Sequence, residues 1–324
     1  MSRRLDTGLG SALARGRYER PPSAFRGWVS ADGSTPYPAE TGRYHLYISW
    51  ACPWAHRTVI GRLLKGLEDV IGVSAVDPIR DERSWAFTGG EYVDPLNGFG
   101  FLSEAYAATD PAYEGRFNVP VLWDTETGRI VNNESADILR MLTTGFGDLA
   151  TREADLYPQA HRAEIDELNA RTYTTVNNAV YVAGFSTDQE VYETTVHGLF
   201  EVLDELNERL AWTRFLFGEE PVETDWRLFT TLLRFDAVYN VHFKCSRRRV
   251  VDYENLWPYV RDLYQRPGIA ETVRFDEIRA HYYRTHPNVN PSGLVAVLPD
   301  ADFEAPHDRE ALAGEHHSPR GLAA

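Results

Sequence analysis

Between Tyr44 and Val76 the hydrophobic period changes twice, and this alternation limits what the chain can become more than any other feature. Tyr44-His45-Leu46-Tyr47-Ile48-Ser49 has the aromatic and β-branched content of a short strand. Val59, Ile60, Leu63 and Leu64 then recur at helical spacing, with Arg57, Arg62 and Lys65 on the other side and Gly66 as a stop. Val70 to Val76 reads as a second strand. Strand, helix and strand follow within about forty residues, which is a βαβ unit. The turn between the first strand and the helix carries Cys52-Pro53.

Residues 78–117 are irregular, rich in Gly, Asp, Tyr and Pro, and loops of that length are often functional. Asn118 to Asp124 and Gly128 to Val131 read as two short strands of a hairpin, and Glu134 to Leu142 as a helix. The order βαβ then ββα predicts an α/β domain with a mixed sheet. From about residue 157 to 280 the pattern turns helical. Ile165, Leu168, Tyr173, Val176 and Val180 make one stripe. Leu199, Leu203, Leu206 and Leu210 make another, behind a start signal at Ser186-Thr187-Asp188-Gln189, and Thr224-Asp225 opens a third helix. With 324 residues, two domains are the default. The expected division is an extended arm over 1–40, an α/β domain over 41–150, a helical domain over 151–285 and a tail over 286–324.

The formal net charge is −15, and only two of the 33 Lys and Arg residues are lysines, with no long basic run. That balance argues against nucleic acid or an anionic membrane as partner, because phosphate binding needs clustered cations. No run approaches the about 20 apolar residues of a membrane helix, and Met1 to Arg20 lacks the apolar stretch of an export signal. Two cysteines, Cys52 and Cys245, cannot build a disulfide framework, so a reducing cytoplasm is the expected location. His242 and Cys245 have ligand-like spacing without a second pair nearby, and His316-His317 falls in the tail, so no metal site is expected.

Three features carry chemistry. A thiol is a useful nucleophile only as thiolate, and a helix start supplies positive potential. Cys52 falls at such a start, and His56 and Arg57 in the next turn add to it. Pro53 fits there because a first-turn proline forfeits no helical bond. Ala55 stands where a second cysteine would complete a Cys-x-x-Cys pair, so an outside thiol, or Cys245, must resolve any mixed disulfide on Cys52. Val119-Pro120, between a loop and a strand, is a candidate cis turn. Its backbone would pair with an extended, peptide-like ligand. Asn133-Glu134-Ser135 opens a helix, where backbone N–H groups bind carboxylates and Glu134 pairs with an ammonium. Alone, that triplet reads as a simple cap.

In this order, followed by an all-helical half, these motifs resemble the glutathione transferases. Ser49-Trp50-Ala51-Cys52-Pro53-Trp54-Ala55-His56-Arg57, Asp225 to Leu232, Arg234 to Tyr239, His242-Phe243-Lys244-Cys245 and His281-Tyr282-Tyr283 with Asn290-Pro291 resemble more closely the glutathionyl-hydroquinone reductases, the Xi class. The resemblance covers about residues 25–295. It implies a thioredoxin-like N-terminal domain, a helical C-terminal domain and a homodimer. It also implies that Cys52 takes glutathione from a glutathionyl-hydroquinone, releases the hydroquinone, and is regenerated by a second glutathione. Another low-molecular-weight thiol is the alternative co-substrate. By the same resemblance Val119 binds the cysteinyl backbone of glutathione, Glu134 and Ser135 hold its γ-glutamyl end, and Trp85 lies along it. Tyr181 and one or both of Tyr282 and Tyr283 face the aromatic conjugate. The sequence departs from the family at Ala179, commonly Gly, and at Val182, commonly Lys. Alternatives are an omega-like thiol transferase that reduces dehydroascorbate or deglutathionylates proteins, and a non-catalytic binding protein of the same fold.

Overall fold

Tyr44–Ile48 (β1) is buried at all five positions, as a strand covered on both faces must be. It is one of the two inner strands of a four-stranded sheet in the computed structural model, which describes residues 13–81 and 83–312. After β1 come Pro53–Leu64 (α1), Ile71–Ala75 (β2), Leu102–Thr109 (α2), Val121–Asp124 (β3), Arg129–Asn132 (β4) and Ser135–Thr144 (α3). The strand order is β2-β1-β3-β4. β1 runs parallel to β2, with Leu46 opposite Val73, and antiparallel to β3, with Leu46 opposite Leu122. This is the mixed sheet expected from the sequence. α1 packs against α3, and Gly66, at φ 63°, follows the helix end as the predicted stop.

Gly72 faces His45 across the β1–β2 pair. A Cβ there would lie 2.3 Å from the imidazole Nδ1, so only glycine leaves room for the buried ring. His45 Nε2 lies 2.9 Å from Ser74 Oγ. Burial pushes this imidazole down from 6.5 to about 4, so the unfolded chain takes up a proton that the folded chain refuses. Stability from His45 is therefore full above pH 6.5 and falls by about 2–3 kcal/mol as the pH drops through that window. His242, also pushed to about 4 by burial, adds a slope of the same sign. Urea midpoints are expected to fall between pH 6.5 and pH 4, and His45→Gln to flatten part of that fall. An identical slope in the variant would assign the effect elsewhere.

The second half holds Arg162–Thr172 (α4), Ala179–Phe185 (α5), Gln189–Arg209 (α6), Glu223–Arg234 (α7) and Leu256–Tyr264 (α8), and Phe275–Thr285 (α9) follows. The predicted stripe from Ile165 to Val180 contains one five-residue step, from Leu168 to Tyr173. That step lies in α4, and the π turn follows it over Tyr173–Asn177, closed by Asn178 N–H on the Tyr173 carbonyl at 2.9 Å. α7 is buried along its whole length and forms the axis of this half. Asp188 caps α6 by accepting from Val191 N–H at 3.0 Å, as its start signal predicts.

The chain forms two compact units. The first contains Glu19–Asp155 and Thr272–Val295, and the second contains Leu13–Tyr18, Leu156–Glu271 and the described residues from Ala296 onward. α9, expected as the end of the helical domain, instead belongs with the sheet. His281 Nδ1 donates to the Pro78 carbonyl at 2.7 Å, and His56 Nε2 meets Thr272 Oγ1 at 2.7 Å. The arm, read as lacking elements, forms two small pairings: Leu13–Ala14 with Arg17–Tyr18, and Val29–Ser30 with Tyr37–Pro38. The stretch 78–117, read as irregular, contains α2. That helix has only eight residues, too few for a clear period, and Glu104 starts it by accepting from Phe101 and Gly100 N–H at 2.8 and 2.9 Å. The first residues of the arm and the end of the tail, with His316-His317, lie outside the described residues. Among the described residues no helix is long and apolar enough to cross a membrane.

Candidate active site

Cys52 is the N-cap of α1, in extended backbone at φ −82° and ψ 121°, with Pro53 as the first helical residue. Its N–H donates to the Ser49 carbonyl at 3.0 Å, and its own carbonyl accepts the first helical bond from His56 N–H at 2.9 Å. The strand-to-helix turn thus sets the side chain at the positive end of α1, 9% exposed and outside any disulfide. Cys52 Sγ lies 3.6 Å from the Val119 carbonyl, and the Val119–Pro120 bond is cis. Two features 67 residues apart in sequence therefore meet at one point.

Charge gathers around this turn. The Arg57 and Arg20 guanidinium groups each lie 4.7 Å from the Trp54 ring centre, and that of Arg274 lies 4.7 Å from the Trp50 ring centre. Three cations thus stack on the two tryptophans that bracket Cys52, where apolar ring faces attract them. Arg20 and Arg274 escaped the sequence reading. Nothing local relates them to residue 52, although an arginine next to a tryptophan-flanked cysteine is readable once the contact is known.

Glu134 caps α3, its Oε1 accepting from Ala136 N–H at 3.1 Å. Its other oxygen accepts from the Ser23 hydroxyl at 2.9 Å, and Ser135 is buried beside it. An ionised carboxylate has about four acceptor positions, so these bonds leave capacity for an ammonium. The arm holds this corner in place. Phe25 N–H donates to Asn133 Oδ1 at 3.0 Å, and Asn133 N–H donates to the Phe25 carbonyl at 3.1 Å. Ser23 and Phe25 are contributors that sequence reasoning missed, because an arm without a period gives no sign of where it docks.

Trp85 is buried, with its carbonyl accepting from Leu102 N–H at 2.9 Å. Its ring stacks on His281, centroids 4.9 Å apart and planes 22° apart. Ser84 before it sits at φ 102°, a strained conformation for a side chain with a Cβ and one that recurs at functional sites. Tyr282 and Tyr283 follow His281 in α9 and are both buried. Burial pushes the Tyr283 phenol up to about 12, so it stays a proton donor at neutral pH. Cys52, Trp85, Val119, Glu134, Ser135, Tyr282 and Tyr283 all belong to the first unit. Tyr181 belongs to the second unit, where its hydroxyl lies 3.5 Å from that of Tyr239 and its ring packs on Phe185 and Phe243. Ala179 and Val182, the departures from the family pattern, are buried beside it.

Cys245 is wholly buried in the second unit, and burial raises its thiol far above the ordinary value, which is an inert setting. Among the described residues no group of three or more His, Cys, Asp or Glu side chains is arranged to hold a metal ion.

The chain matches the family models described as "Glutathione S-transferase, N-terminal domain" over residues 51–144 and "Glutathione S-transferase, C-terminal domain" over residues 189–262. It is 49% identical to the glutathionyl-hydroquinone reductase YqjG of Escherichia coli K12, over 95% of this chain and 97% of that protein. Among solved structures, a Xi-class glutathione transferase from Natrialba magadii is 50% identical and superposes with a TM-score of 0.87, covering 89% of each chain. The glutathione-bound structure of the Escherichia coli protein is 50% identical with a TM-score of 0.87, covering 89% of this chain and 96% of that one.

Proposed function

We infer the function from one premise: the chain belongs to the glutathionyl-hydroquinone reductase family, the Xi class of the glutathione transferases, with the thioredoxin-like and helical domains of that family. The chain is an enzyme that uses glutathione to reduce glutathionyl-hydroquinones to hydroquinones. The observation that carries this reading is Cys52 at the helix start, 3.6 Å from the Val119 carbonyl, with Ala55 in place of a second cysteine.

The Cys52 thiolate attacks the sulfur of the glutathionyl group. The sulfur–carbon bond to the ring breaks, its electron pair stays on the ring carbon, and a proton taken up there gives the free hydroquinone. Cys52 is left as a mixed disulfide with glutathione. A second glutathione thiolate attacks that disulfide, returns the Cys52 thiolate and leaves as glutathione disulfide. No internal thiol in this turn competes for the mixed disulfide, which matches resolution from outside.

Val119 holds the cysteinyl backbone of glutathione, Glu134 and Ser135 hold the γ-glutamyl end, and Trp85 covers it. Tyr181, Tyr282 and Tyr283 serve the aromatic ring, their phenols donating to hydroquinone oxygens as charge builds on the leaving carbon. The enzyme works as a homodimer in the cytoplasm, with glutathione and aromatic thiol conjugates as its partners.

The test is turnover of a purified glutathionyl-hydroquinone with stoichiometric glutathione disulfide, together with intact-mass detection of a glutathionyl adduct on Cys52. Faster turnover of dehydroascorbate would support the omega-like reading instead. An adduct of a different thiol, supplied as its hydroquinone conjugate and formed in preference, would change the co-substrate and leave the chemistry standing.

A further inference from the structure

We propose that His281 is a positioning residue: its ring, anchored on the Pro78 carbonyl, clamps the Trp85 indole in the orientation that receives the thiol co-substrate. This rests on the reading of Trp85 as a glutathione contact.

Ser84, at φ 102° and with its N–H on the Asp81 carbonyl at 3.1 Å, turns the chain into Trp85. The main-chain bond from Leu102 fixes where Trp85 starts, but it does not set the two side-chain torsions. An indole in such a segment keeps one orientation only if neighbours hold its plane. The Arg80 guanidinium lies 5.6 Å from its ring centre, and His281 supplies a flat face. Its ring lies nearly parallel to the indole, centroids 4.9 Å apart, in the range of an offset stack.

The imidazole is held in turn. Pro78 offers only a carbonyl, so at 2.7 Å the hydrogen bond requires the proton on Nδ1, which fixes the ring about its own torsion. The Thr285 hydroxyl donates to the His281 carbonyl at 2.7 Å, and Tyr282 and His286 meet the imidazole edge-on with centroids 5.2 and 5.6 Å away. One side chain, from a helix about 200 residues further along, thus touches both the backbone at Pro78 and the ring at Trp85. A residue needed only to fill the core would not have to engage both.

The test is a double-mutant cycle on the full chain, reading the KM for glutathione, kcat, and the alkylation rate of Cys52. His281→Ala is expected to raise the glutathione KM about 5- to 10-fold, to change kcat less than about 3-fold, and to leave Cys52 alkylation unchanged. In a Trp85→Ala background the same substitution should have no further effect on KM. His281→Phe, which keeps a flat ring but loses the bond to Pro78, should recover part of the affinity. If His281→Ala does not fold, His281→Leu keeps the volume without a flat face and carries the same expectation. Additive losses in the cycle, or a phenylalanine variant no better than alanine, would overturn the proposal. If Trp85→Ala alone leaves the glutathione KM unchanged, the reading of Trp85 itself fails.

Discussion

Replacing Cys52 with serine is expected to remove at least about 1,000-fold of the reductase activity while leaving the protein as stable as before, or up to about 1 kcal/mol more stable. The two halves of that expectation have different causes. Activity falls because the hydroxyl of serine is not ionised near neutral pH and cannot form a mixed disulfide. Cys245 cannot substitute, being wholly buried with its thiol pushed far up. Stability holds because the Cys52 side chain makes no capping hydrogen bond to α1. Serine is among the better N-cap residues, and its oxygen would accept from a first-turn N–H that sulfur leaves alone. Steady-state turnover of a glutathionyl-hydroquinone, with urea unfolding of both proteins, checks the pair. A serine variant that is inactive and also several kcal/mol less stable would mean that Cys52 holds the structure together rather than performing chemistry.

The largest expected effect on stability lies in the helical unit. Asp225→Ala is expected to cost about 3–5 kcal/mol, a large share of the 5–15 kcal/mol that usually holds a domain folded. Asp225 is fully buried at the third position of α7. One oxygen accepts from Leu216 N–H at 3.0 Å and from the Tyr259 hydroxyl at 2.8 Å, and the other accepts from Val222 N–H at 2.8 Å. Alanine would leave all three donors unpaired in the core, each at a cost of about 1–3 kcal/mol, partly relieved by relaxation. Asp225→Asn keeps an acceptor for two donors but turns its amide N–H toward the third, so an intermediate loss is expected.

Burial raises the Asp225 carboxyl to about 6 against the pull of its donors. The folded chain then holds a proton that the unfolded chain has released, so ionisation of Asp225 lowers stability as the pH rises toward about 6. That slope is opposite in sign to the one from His45. Denaturant midpoints of the wild type and both variants from pH 4 to pH 7 test the order Ala below Asn below Asp and the change in slope. A loss under about 1 kcal/mol in Asp225→Ala would show that water or neighbouring groups take over the donors.

Much of the candidate site was legible because its parts are local. Cys52, Pro53 and the helix behind them lie within a dozen residues, and the strand-to-helix change of period places the thiol at the cap without any distant contact. Val119-Pro120 and Glu134-Ser135 were legible in the same way, as a strand entry and a helix entry. α2 was not, since eight residues in a Gly- and Asp-rich stretch show no period. The π turn over Tyr173–Asn177 was not legible either, since the apolar stripe runs through it by steps of three and four like an ordinary helix.

The sequence by itself therefore determined the helix-start cysteine, the absence of a partner thiol at Ala55, the mixed sheet and the helical second half. These follow from hydrogen bonds three to five residues long and from the alternation of strands. Tertiary structure alone decided which distant residues meet: Arg20 and Arg274 on the tryptophans that flank Cys52, Ser23 on the Glu134 carboxylate, and α9 packed into the sheet unit with His281 against Trp85. Such contacts join residues up to about 220 positions apart, and they depend on shape and charge matching between surfaces that exist only after each element has formed. No local period records which surfaces will meet.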